Sequence, residues 1–140
     1  MLATAQAFID EMERANMKPK HTRDLDDGKS LVVCGVNGKN NAHYDVFFFF
    51  DKDGTSLSMR VFKLVTFPED RTDKVYDTLN ELNRKFRWVK FFCDHECNVN
   101  VQEDAPLAPA DAGKYCMRML VRAAQIIDSA YPDLMRALWA

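Results

Sequence analysis

Cys93, His95 and Cys97 occupy alternate positions, and thiolate and imidazole are ligands that zinc prefers. Zinc sites commonly leave about two to four residues between paired ligands. Here one residue intervenes each time, at what reads as a hairpin turn, with Cys116 and His43 as distant candidates for a fourth ligand. The plainer account puts Cys93 in the core and leaves His95 and Cys97 as turn residues. Cys34 and His43 offer a different chemistry, a thiol with a base near it. They flank the first turn, and one register makes them cross-strand neighbours. No glycine-rich elbow or oxyanion-forming helix terminus follows either residue, so a core cysteine and a surface histidine account for them better. Asp51-Lys52-Asp53-Gly54 has the opening letters of a calcium loop, but Phe62 stands where that loop needs its bidentate Glu. Gly28, Gly35, Gly38, Gly54 and Gly113 form no phosphate-cradling spacing. The expectation is no catalytic residue, no cofactor and no metal.

The elements that carry these residues follow from periodicity. Leu2, Ala5, Phe8, Ile9 and Met12 recur at helical spacing and predict a helix over 2–17, ended by Pro19. Lys20 to Lys29 is a polar stretch. Leu31 to Val36, His43 to Phe50 and Thr55 to Val65 read as strands, separated by the turns Asn37-Gly38-Lys39-Asn40-Asn41 and Asp51-Lys52-Asp53-Gly54. If Phe50 faces Thr55, the second hairpin pairs Phe48 with Leu57, Val46 with Met59 and Tyr44 with Val61 on one apolar face. The other face then pairs Phe49 with Ser56, Phe47 with Ser58 and Asp45 with Arg60. Pro68-Glu69-Asp70 opens a second helix with the stripe Val75, Leu79, Leu82 and Phe86. Trp88 to Cys93 and Asn98 to Gln102 read as two further strands. A last helix spans about 110–130 and is stopped by Pro132, with Asp133 to Trp139 able to add a final short helical turn. The order α-β-β-β-α-β-β-α predicts one α+β domain over 1–140, with an antiparallel five-stranded sheet and helices packed mainly on one face.

Composition narrows the function. With 19 Lys+Arg against 21 Asp+Glu the net charge is −2, which argues against a protein that holds nucleic acid by neutralising phosphates. No apolar run reaches the roughly 20 residues a membrane helix needs. The first residues lack the basic and apolar regions of a secretory signal, and four scattered cysteines are too few for a disulfide framework. The expected location is the cytoplasm.

Apolar surplus is the functional hint. In the last helix Cys116, Met119, Leu120, Ala123, Ile127 and Ala130 make one face; Met117, Val121 and Ala124, with Ile126 nearby, make a second. Phe47 and Phe49 lie on the strand face opposite the well-paired one. Large apolar patches left exposed mark partners. Phe47, Phe49, Met117, Val121 and Ala124 are therefore the candidate interface, for a homodimer or a protein client. One or both of Asn80 and Asn83, beside the buried stripe of the second helix, are expected to satisfy loop or strand-edge backbone near Trp88, as Asp45 and Arg60 are expected to pair across strands.

Several local motifs resemble the YbjN-like family of bacterial proteins, labelled sensory transduction regulators. They are Phe48-Phe49-Phe50-Asp51-x-Asp53-Gly54, Leu79-Asn80-x-Leu82-Asn83, Trp88-x-Lys90-Phe91 with the Asp94 turn, and Ile126-Ile127-Asp128 to Tyr131-Pro132. The resemblance covers about residues 2–138. It implies a fold similar to that of type III secretion chaperones and a non-enzymatic, chaperone-like or regulatory interaction module, often dimeric. Two other readings of the residues stay open: a small-ligand sensor with a pocket between sheet and helices, and a thiol- or metal-dependent enzyme using Cys34/His43 or Cys93/His95/Cys97.

Overall fold

Alternation decides the middle of the chain. In the computed structural model, which describes residues 1–40 and 43–140, Tyr44, Val46, Phe48 and Phe50 are buried while His43, Asp45, Phe47 and Phe49 face the other way. This strand, β3 (His43–Phe50), lies between β2 (Ser30–Asn37) and β4 (Ser56–Thr66). Next to β2 is β1 (His21–Asp24); beyond β4 come β6 (Asn98–Pro106) and, at the far edge, β5 (Lys90–Cys93). Every neighbouring pair is antiparallel. Three helices, α1 (Ala3–Arg14), α2 (Thr72–Lys85) and α3 (Ala112–Trp139), complete an α+β fold.

The sheet has six strands, not the five expected. The additional strand, β1, occupies part of the polar stretch after α1, and all of its residues are exposed. An edge strand with neither side chain face in the core carries no apolar alternation, so only its backbone pairing to β2, from His21↔Val33 to Asp24↔Ser30, reveals it. Gly28 (φ +91°) closes the intervening turn in a left-handed conformation that a side chain would strain. In the next turn Asn41 lies outside the described residues.

The β3–β4 register also differs from expectation. Phe50 faces Leu57, Phe49 faces Ser58, Phe48 faces Met59 and Phe47 faces Arg60. The turn closes one step further out, with the Asp51 N–H donating to the Ser56 carbonyl at 3.0 Å, which displaces the pairing by two residues. Side chains alternate with a period of two, so the displacement leaves every residue on its expected face. It does separate Asp45 from Arg60. Asp45 sits opposite Gly35 and takes Lys20 Nζ at 3.0 Å, while Arg60 Nε donates to Ser58 Oγ at 3.1 Å.

The helices cover the face carrying Phe48 and Phe50. Phe8 of α1 packs on those rings at 4.7 and 6.2 Å between centroids. Val75, Leu79 and Leu82 of α2 and Cys116, Met119, Ala123 and Ile127 of α3 fill the same core. α1 and α3 approach at Gly113, where a Cβ would stand 2.5 Å from the Ala7 carbonyl oxygen.

Pro132 does not stop the last helix; α3 runs through it to Trp139. Proline has no N–H to give the carbonyl four residues earlier, that of Asp128. Asn40 fills the vacancy, its Nδ2 donating to the Asp128 carbonyl at 2.9 Å. The Asp128 carboxylate in turn accepts from the Lys39 and Asn40 backbone N–H groups at 2.7 and 3.2 Å. Lys39 and Asn40 are thus docked at the proline site, and the acceptor that the proline orphans is satisfied from outside the helix.

Candidate functional site

The outer face of the sheet, away from the helices, can be read in rows across the strands. One row runs Lys90, Gln102, Arg60, Phe47, Val33, His21; the next runs Asp104, Ser58, Phe49, Leu31, Arg23. Each row is apolar in the middle and polar or charged toward its ends. Leu31 and Val33 are buried even though they lie on this face, whereas Phe47 and Phe49 are half-buried. A β-bulge between Val61 and Val65, pinned by the Lys63 N–H donating to Asn100 Oδ1 at 2.8 Å, brings in a further ring. That ring, Phe62, is 44% exposed and meets Phe47 edge-on at 5.2 Å and Phe49 at 6.4 Å. Phe47 and Phe49 stack at 6.2 Å. These separations are those of rings that interact with one another.

Cations border this patch on both sides: Arg23 on β1, Arg60 on β4 and Lys90 on β5. None of the three forms an ion pair among the described residues. The nearby acids are engaged. Asp45 holds Lys20, and Asp104 accepts from Gln102 Nε2 at 2.9 Å. The Ser58 hydroxyl beside it, with Gln102, Arg60 and Lys90, keeps the Asp104 carboxyl below the ordinary aspartate value.

The remaining interface candidates lie on the far side of the sheet. Val121 is 49% exposed on α3 and Ala124 is half-buried beside it. Both line an open groove of about 540 Å³ with Met17, Val36, Leu120 and Asp128. Met117 is half-buried and packs against the core. The structure therefore does not bring Phe47 and Phe49 together with Met117, Val121 and Ala124; they belong to two separate surfaces. Asn83 faces the edge of β5, where its Oδ1 accepts from the Phe91 N–H at 2.8 Å and its Nδ2 donates to the Phe91 carbonyl at 3.0 Å. Asn80 is exposed one turn earlier.

The thiols are placed for packing. Cys34 faces Val46, not His43; His43 faces Asn37 and hydrogen-bonds its Oδ1 at 2.7 Å. Burial pushes the Cys34 and Cys116 thiols up to about 12 and that of Cys93 up to about 11, which disfavours the thiolate that a nucleophile needs. Among the described residues no group of three or more His, Cys, Asp or Glu side chains is arranged to hold a metal ion. Around the β5–β6 turn, Asp94 instead accepts from Glu96 and Asn98 backbone and from the Asn98 and Asn100 amides.

Two features are absent from the candidate residues. Phe62 is within reach of the sequence, because its parity with Ser58 and Arg60 places it on the outer face. A charged pair at the rim of the core is not: Glu103 faces inward from β6 and meets the half-buried Arg122 of α3 at 2.8 Å, beneath Trp88, whose ring centroid lies 4.0 Å from the guanidinium. Trp88 adopts a left-handed φ of +79°, a costly conformation for such a side chain. Nothing in an alternating strand marks one inward carboxylate as paired.

No helix among the described residues is long and apolar enough to cross a membrane. A search of curated proteins and one of solved structures gave no match. The family comparison did: residues 6–136 match YbjN, described as "Putative bacterial sensory transduction regulator". With nearly the whole chain covered, this protein belongs to the YbjN family.

Proposed function

We propose that the chain is a non-catalytic regulatory module that works by holding a protein partner on the outer face of its sheet, in the manner of a chaperone. The observation that carries this reading is the ring cluster Phe47, Phe49 and Phe62 on a face that the three helices leave uncovered. A sheet buries an apolar face against another layer, and here the chain supplies that layer on one side only. The raised thiol pKa values support the absence of nucleophilic chemistry. On this reading the chain acts as a homodimer through the separate α3 surface at Val121 and Ala124, in the cytoplasm, where thiols stay reduced.

Parallel affinity capture with the wild type and Phe62→Ser tests the docking face. Proteins retained by the wild type and lost with the variant support it; an identical set on both overturns it. Sedimentation velocity across a hundredfold concentration range tests the dimer. A monomer throughout, or a dimer unaffected by Val121→Glu, removes α3 as the self-contact.

A further inference from the structure

If the outer face holds a partner, its charges say which kind. From the arrangement of Arg23, Arg60 and Lys90 around Phe47, Phe49 and Phe62, we infer that the docking surface fits an acidic amphipathic helix of another protein, laid across the strands. This inference rests on the docking reading above.

The geometry supplies three arguments. Cations that form no ion pair among the described residues flank the apolar centre diagonally, Lys90 and Arg60 on one side of the first row and Arg23 on the opposite side of the second, whose other end is Asp104. An occupant with an apolar stripe and carboxylates toward its two ends would meet rings in the middle and guanidinium or ammonium groups at the margins. The distance also suits a helix. From β1 to β5 there are five inter-strand steps in the sheet order, roughly 24 Å at the usual spacing. That is the length of about 16 helical residues. Thirdly, the charges disfavour the alternative occupant. A second copy docked face to face would bring Arg23, Arg60 and Lys90 against the same three cations, with only Asp45 and Asp104 as acids on the face, the first already holding Lys20 and the second already bonded to Gln102. The chain as a whole is acidic, at −2, so the unpaired cations here are a local property and not a reflection of composition.

Long-range charge adds mainly association rate and orientation, while the rings supply the area. Substituting a ring should therefore weaken binding at any salt concentration, whereas reversing the cations should weaken it most at low salt and flatten the salt dependence.

The test is a selection that presupposes nothing about the ligand. Random 20-residue peptides displayed on phage are selected on the full-length chain, and enriched peptides are synthesised and titrated by fluorescence anisotropy against three proteins. These are the wild type, Phe62→Ser, and the triple charge reversal Arg23→Glu/Arg60→Glu/Lys90→Glu. Circular dichroism of each variant establishes that it is folded before titration. The expected result is peptides of net negative charge with apolar residues at three- and four-residue spacing. They should bind Phe62→Ser at least tenfold more weakly, and lose a further tenfold on the charge-reversed chain at low salt. Peptides that depend on Phe62 but are neutral or basic overturn the acidic helix and leave the docking face standing. Peptides indifferent to Phe62, or no enrichment at all, overturn the face itself. Self-association of the wild type that Phe62→Ser abolishes assigns the face to a second copy and overturns the inference as well.

Discussion

Phe48 and Phe49 are adjacent in the chain and identical in chemistry, yet they live under different conditions. Phe48 has no exposed surface and packs tilted against Phe8 of α1. Phe49 is half-buried, touching other rings of the same outer face. The inner face is a finished interior, closed by three helices; the outer face is an interior with one wall. The difference teaches that burial of a side chain is decided by what lies opposite and not by its own hydrophobicity. It also separates stability from recognition: residues on the first face hold the fold, and residues on the second are free to serve something else.

The largest effect should come from emptying the finished side. Phe48→Ala is expected to cost about 3–5 kcal/mol in urea unfolding, and Phe49→Ala less than about 1 kcal/mol. Equal losses would mean the outer face is as integral to the fold as the inner one. A smaller loss, about 1 kcal/mol, is expected for Asn40→Ala, which leaves the Asp128 carbonyl without a donor. In a Pro132→Ala background, where the helix can supply its own N–H, the loss should shrink; a double-mutant cycle showing no coupling would refute this account of the helix.

The inner face also contains one charge poorly suited to it. Burial raises the Glu103 carboxyl above its ordinary value of 4.5, against the lowering influence of Arg122. A group whose pKa is raised by folding contributes stability that is full below its unfolded value and is lost as pH rises through the folded one. Wild-type stability relative to Glu103→Gln should therefore fall between acid and neutral pH. Chemical denaturation at several pH values measures the slope, and a rise would reverse the assignment. The smallest change is expected from Phe62→Ser, within about 0.5 kcal/mol, because 44% of the residue is already exposed and its only ring partners lie on the open face. A large drop in its thermal midpoint would disqualify it as a recognition residue.

Much of this was legible in the residues. Alternation in β3, and in β4 as far as Phe62, assigns the side chains to their faces, and helical spacing finds the buried stripes of α1, α2 and α3. What failed did so for identifiable reasons. β1 lies at an edge with every residue exposed, and exposure on both faces erases alternation. The two-residue displacement of the hairpin is invisible to a period-two signal, so Asp45 and Arg60 were matched although their faces were right. Pro132 lies inside α3, and the donor to the carbonyl it orphans, Asn40, comes from a turn far away in the sequence. The outer-face patch was partly readable as Phe47 and Phe49. Its third ring, Phe62, shares the parity of Ser58 and Arg60, whereas the placing of its cations depends on strand order across the sheet, which no local pattern encodes.

The Asn83 side chain has a consequence for how copies of the chain can assemble. By occupying both backbone groups of Phe91 it plugs the middle of the β5 margin, with α2 alongside. The β1 margin has no such plug among the described residues, and its Thr22 and Asp24 backbone groups face outward in the antiparallel pattern. Strand addition can therefore proceed from one side only. Two molecules joined margin to margin would use up both open ends and finish in plugged ones, so lateral growth terminates at a pair and cannot run on into a fibre.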